Sequence, residues 1–178
     1  MEEKVKAPFW KPALIYGAIM GFVAVFISLV FYFIGMATVT WTNYVSMLVG
    51  LVLLVYLMLQ YRKEYLGGYA SFGQIFLMVL VSAGIISVII SAIYSYLLFT
   101  VIDPELIEQV KIAAEERIMS NSRIPESMYD DILDRMEKRM NVGYMIKFAL
   151  ILGPIVNAFI GLIVAAFIKK EKDITTPA

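Results

Sequence analysis

From Pro12 to Tyr61 the chain carries no charged side chain. Built as one helix rising about 1.5 Å per residue, that run would be more than twice as long as the roughly 30 Å hydrocarbon core of a bilayer, so it must cross twice. The polar stretch Thr38-Val39-Thr40-Trp41-Thr42-Asn43 is the place to turn, which predicts spans over about 13–36 and 44–60. Two further apolar runs predict spans over about 71–100 and 143–168. The segment between them, 104–141, is polar but periodic. Ile107, Val110, Ala114 and Ile118 fall on one helical face, Tyr129, Ile132, Leu133, Met136 and Met140 on another, and Asn121 to Pro125 breaks the pattern between them. Asp103-Pro104-Glu105 reads as a helix start, with Asp103 as cap. The predicted fold is all-α: a single domain over 1–178 forming an integral membrane four-helix bundle, with an extramembrane amphipathic helical pair between spans three and four.

Composition sharpens the class and narrows the chemistry. Of 178 residues, 61% are hydrophobic and the mean hydropathy is +0.79, well above the apolar share of a water-soluble domain. Cysteine and histidine are both absent, which excludes disulfides, thiolate nucleophiles and the commonest metal ligand and near-neutral general base. No Asp or Glu falls within a predicted span, and Lys147 lies close enough to a span's end for its long stem to carry the ammonium to the interface. The chain is therefore expected not to be an enzyme and to use neither cofactor nor metal. The expected partners are the lipid bilayer and a membrane protein or further copies of the chain, not nucleic acid.

Charge is balanced overall but unevenly distributed. Lys4, Lys6 and Lys11 precede span one, Arg62 and Lys63 follow span two, and Lys169, Lys170 and Lys172 follow span four, whereas acids outnumber bases in 104–141. The excess of Lys and Arg on cytoplasmic loops predicts cytoplasmic termini and a helical pair on the far side. The basic start and Gly35-Met36-Ala37 resemble a signal peptide and its cleavage site. The first apolar run is far longer than the roughly 7 to 15 residues of such a peptide, so an uncleaved first helix is expected.

Every span carries small residues at helical spacing: Ala13, Gly17 and Gly21; Ser46 and Gly50; Ala83, Ser87, Ser91 and Ser95; Gly153, Asn157, Gly161 and Ala165. Such stripes let helices approach closely, and the Asn157 amide can bond across a contact, so a tight bundle is expected. Pro154 can kink the last span. The sharper alternative is that Ser87, Ser91 and Asn157 line a path for a solute.

The stretch Tyr61-Arg62-Lys63-Glu64-Tyr65-Leu66-Gly67-Gly68-Tyr69-Ala70-Ser71-Phe72-Gly73-Gln74-Ile75-Phe76 resembles the loop and third span of a bacterial membrane family catalogued as domain of unknown function 4199. The resemblance extends over most of the chain and singles out Gly67, Gly68, Ser71, Phe72 and Gly73 without giving them a role. It implies a Bacteroidetes-type inner membrane, which would make the far side the periplasm. Read physically, Gly67-Gly68 permits a tight turn and Ser71 caps span three. A phosphate-cradling loop lacks its glycine and lysine spacing here. The expected function is an accessory or scaffold subunit acting through its small-residue faces and its periplasmic helical pair. The alternative is a small transporter or channel subunit working as a homo-oligomer.

Overall fold

The computed structural model describes residues 9–121 and 124–171. Lys4, Lys6, Arg123 and Lys172, used above in counting charge, lie outside them. Among the described residues the chain forms six helices and no strand. They are α1 (Trp10–Phe33), α2 (Thr40–Glu64), α3 (Phe72–Ile102), α4 (Leu106–Met119), α5 (Tyr129–Arg139) and α6 (Val142–Ile168). Four of these, α1, α2, α3 and α6, are long and apolar enough to cross a membrane. Their flanks are apolar where a soluble protein's would be charged. Phe22, Phe26, Val30 and Phe33 form an exposed ladder along α1, and Phe159, Ile163 and Phe167 another along α6. Lipid tails solvate such ladders, which water would not.

Local chemistry sets the helix ends. The first turn falls earlier than the polar stretch suggested, over Ile34–Val39, while Thr40 to Asn43 are already helical. Gly35 has φ +72°; its amide donates to the Tyr32 carbonyl and that of Met36 to the Phe31 carbonyl, a Schellman stop that needs a left-handed residue. Ser71 starts α3 as expected: its hydroxyl accepts from the Gln74 amide while the Gln74 side chain accepts from the Ser71 amide, which is a full capping box. The helix-start reading of Asp103 holds in part. Its carboxylate accepts from the Leu106 amide at 3.1 Å, but α4 begins only at Leu106. Asn141 caps α6, and that helix runs through Pro154 without interruption.

Span three is the axis of the bundle. It is 44% buried, against 17 to 22% for the others, because α1 packs along one side of it and α6 along another. Its length carries it beyond the hydrocarbon, and π-helical turns interrupt it at Leu80–Ser87 and Leu98–Ile102. The core lies towards the end that carries Lys11, Arg62 and Lys170, here the basic end. Leu54, Met58, Ile75, Met78 and Val79 are fully buried there among Ala13, Tyr16 and Ala165. α2 joins this core only through its second half, Leu54 to Tyr61. The expectation of four tight small-residue faces is thus corrected for span two: Gly50 has nothing within 4 Å of where its Cβ would be.

A set of polar bonds closes the basic end. The Arg62 guanidinium donates to the Ile168 carbonyl at 2.7 Å, and Ala70 and Lys170 exchange two backbone hydrogen bonds of 2.9 Å. Gly67 and Gly68 take φ of +62° and +89°, which turns the Gly68 amide back onto the Arg62 carbonyl at 2.8 Å. Tyr16 stands edge-on to both Tyr61 and Tyr65 beneath this loop. The glycine pair therefore folds a loop that holds the end of α6, using carbonyls that a helix terminus leaves unpaired.

Candidate functional site

At the opposite end, here the insert end, the first half of α2 buries only Thr42 and the bundle is open. Three pairs of polar residues, each at the i,i+4 spacing that puts them on one helical face, converge on the opening. They are Ser28 and Tyr32 from α1, Thr42 and Ser46 from α2, and Ser91 and Ser95 from α3. With Asn43, Tyr94, Phe31 and Phe99 they line a vestibule of about 290 Å³. Leu106 and Val110 of α4 form its roof. Two contacts hold the roof: the Arg117 guanidinium donates to the Thr38 carbonyl, and the Tyr32 hydroxyl donates to Asp103 at 3.0 Å.

Two of the vestibule's hydroxyls are already committed as donors. The Thr42 hydroxyl donates to the Val39 carbonyl at 2.6 Å and that of Ser46 to the Thr42 carbonyl at 2.8 Å. Both oxygens are left to accept. Tyr94 Oη is buried and has no partner in the chain, an arrangement that costs free energy. No lining residue is charged. Among the described residues no group of His, Cys, Asp and Glu stands close enough to hold a metal.

Ser91 and Ser95 also border a second space, of about 400 Å³, between α3 and α6. Here the structure brings together residues singled out from sequence, since Ser87, Ser91, Gly153 and Asn157 all line it. The Asn157 amide does not bond across the helix contact as expected. It donates to the Gly153 carbonyl of its own helix at 2.9 Å, because the neighbouring helix offers Gly84 there, not a polar side chain. Asn157 also borders an apolar groove of about 380 Å³ with Met47, Gly50 and Leu54.

The glycines take up branched side chains of α3. A Cβ at Gly17 would come within 2.6 Å of Ile86, at Gly21 within 2.8 Å of Ile90, at Gly153 within 2.8 Å of Val88, and at Gly161 within 3.2 Å of Val79. Gly84 of α3, passed over in the sequence, receives α6 in turn, a Cβ there lying 3.3 Å from the Asn157 Cβ.

The loop of Gly67, Gly68, Ser71, Phe72 and Gly73 lies at the basic end, away from the vestibule, and ties helices together there. A family model described as protein of unknown function (DUF4199) matches residues 15–170. The chain belongs to that family. No curated protein and no solved structure matches it. In this DUF4199 chain, then, the recognisable loop and the polar vestibule occupy opposite ends. Tyr32 and Tyr94 of the vestibule went unremarked in the sequence, and Thr42 was read only as part of a turn. Their signal was the i,i+4 spacing of Ser28 with Tyr32 and of Thr42 with Ser46, hidden because hydroxyl residues at such spacing are common in membrane helices.

Proposed function

We propose that this membrane protein binds a small solute in the vestibule at its insert end, as a small transporter or channel subunit does. The observation that carries the reading is the contrast between the two halves of the bundle. Hydroxyl-bearing residues from three helices surround an open space, while Leu54, Met58, Ile75 and Met78 seal the basic half. That is a one-sided site, open to one face of the membrane and closed to the other. The excess of Lys and Arg at the basic end supports a reading in which that end is cytoplasmic and the vestibule lies on the far side, the periplasm if the membrane is a bacterial inner membrane.

A second reading, an accessory subunit that docks another membrane protein, is favoured by α5. Its apolar stripe of Ile132, Leu133 and Met136 stays half-exposed, none of its residues is buried, and Met128 beside it is exposed. Native mass spectrometry of the particle extracted in mild detergent separates the two. A particle of this chain alone, as one copy or several, retaining small-molecule mass that is lost in Ser95→Trp, supports solute binding. Extraction in fixed ratio with a different protein, with no retained small molecule, would replace it with the accessory role.

A further inference from the structure

We infer that the vestibule takes a small organic cation, a protonated or quaternary amine, held among aromatic rings and oxygen acceptors in the field of Asp103. This rests on the vestibule being a binding site and names what it selects. Four aromatic residues, Phe31, Tyr32, Tyr94 and Phe99, line a space of about 290 Å³, and aromatic faces attract ammonium groups through the ring quadrupole. The hydroxyl protons of Thr42 and Ser46 are already given to carbonyls, so these oxygens offer lone pairs and suit a ligand that brings the hydrogens or the positive charge.

The surrounding charges point the same way. The Asp103 carboxylate stands 3.0 Å behind the Tyr32 hydroxyl, which polarises that oxygen towards the cavity. Helix dipoles do not decide the sign, since α1 and α3 end at this face while α2 and α4 begin there. No Lys or Arg lines the space, and Arg117, on the roof helix, is turned to the Thr38 carbonyl. A carboxylate or phosphate ligand would find hydroxyl and amide donors but no Lys or Arg to balance its charge. A neutral apolar ligand would gain nothing from the Asp103 carboxylate behind Tyr32.

The chain supplies its own reporter. Of its two tryptophans, Trp41 packs edge-on against Phe31, with ring centroids 5.8 Å apart. In the full-length Trp10→Phe variant in lipid nanodiscs, fluorescence is titrated with choline, with dimethylbutanol (carbon replacing the quaternary nitrogen), and with acetate. Choline is expected to saturate the Trp41 response, dimethylbutanol to bind at least tenfold more weakly, and acetate not at all. Asp103→Asn, which keeps a side chain able to cap α4, is expected to weaken choline at least fivefold with helicity unchanged. Equal binding of choline and dimethylbutanol, preference for acetate, or undiminished binding in Asp103→Asn would overturn the cation class while leaving the vestibule a binding site. Silence towards all three probes would remove the binding site itself.

Discussion

A methyl group added at Gly17 would lie 2.6 Å from Ile86 Cβ and 2.9 Å from the Ser82 carbonyl oxygen, whereas one added at Gly50 would touch nothing within 4 Å. The two positions should therefore respond oppositely. Gly17→Ala must push α1 off α3 and is expected to cost about 1 to 3 kcal/mol, the usual penalty of overpacking. Gly50→Ala removes backbone freedom from a helix without a clash and is expected to stabilise by about 0.5 to 1 kcal/mol. Thermal unfolding in detergent, followed by circular dichroism, checks both. In the sequence these glycines look alike, each in an apolar run with a small residue one turn away. The difference lies in the branched residue opposite, Ile86 for Gly17, and pairing across helices is not written in either helix alone. The Asn157 amide failed to cross the contact for the same reason, since its partner face holds Gly84.

The elements themselves were far more legible than their contacts. Uninterrupted apolar runs with polar breaks are a one-dimensional signal, which is why four spans and two amphipathic helices could be placed. Their ends moved by a few residues where a local bond decided: Gly35 stops α1 and the Thr42 hydroxyl joins the first turn of α2. The π-helical turns of α3 had no sequence signal. Ser71→Ala removes the capping box of α3 and is expected to cost about 1 kcal/mol, visible as a lower unfolding temperature. Arg62→Leu takes the guanidinium from the Ile168 carbonyl. It is expected to speed hydrogen exchange at the Ala70 and Lys170 amides tenfold or more while leaving the amides of α4 unchanged. Equal protection in the variant would mean that the loop does not hold the last span. Arg62 drew notice in the sequence for its charge and the side of the membrane it implied. Its bond to a carbonyl 106 residues further on depends on the bundle closing.

As a whole the molecule is sealed at one end and open at the other. The small-residue stripes run through both ends, while the open end arises where α2 contributes to the hydrophobic core only through Leu54 to Tyr61, an asymmetry that no periodicity records. The chain's lack of cysteine permits a direct test in sealed vesicles of known orientation. Single-cysteine variants at Ser95, in the vestibule, and Ser82, fully buried, are exposed to a charged, membrane-impermeant thiol reagent. Ile112→Cys, on the exposed face of α4, marks the insert side. The account predicts that Ser95→Cys reacts from the same side as Ile112→Cys and from that side only, and that Ser82→Cys reacts only after unfolding. If Ser95→Cys proved as inert as Ser82→Cys, the insert end would be dry and the vestibule would not exist in the membrane.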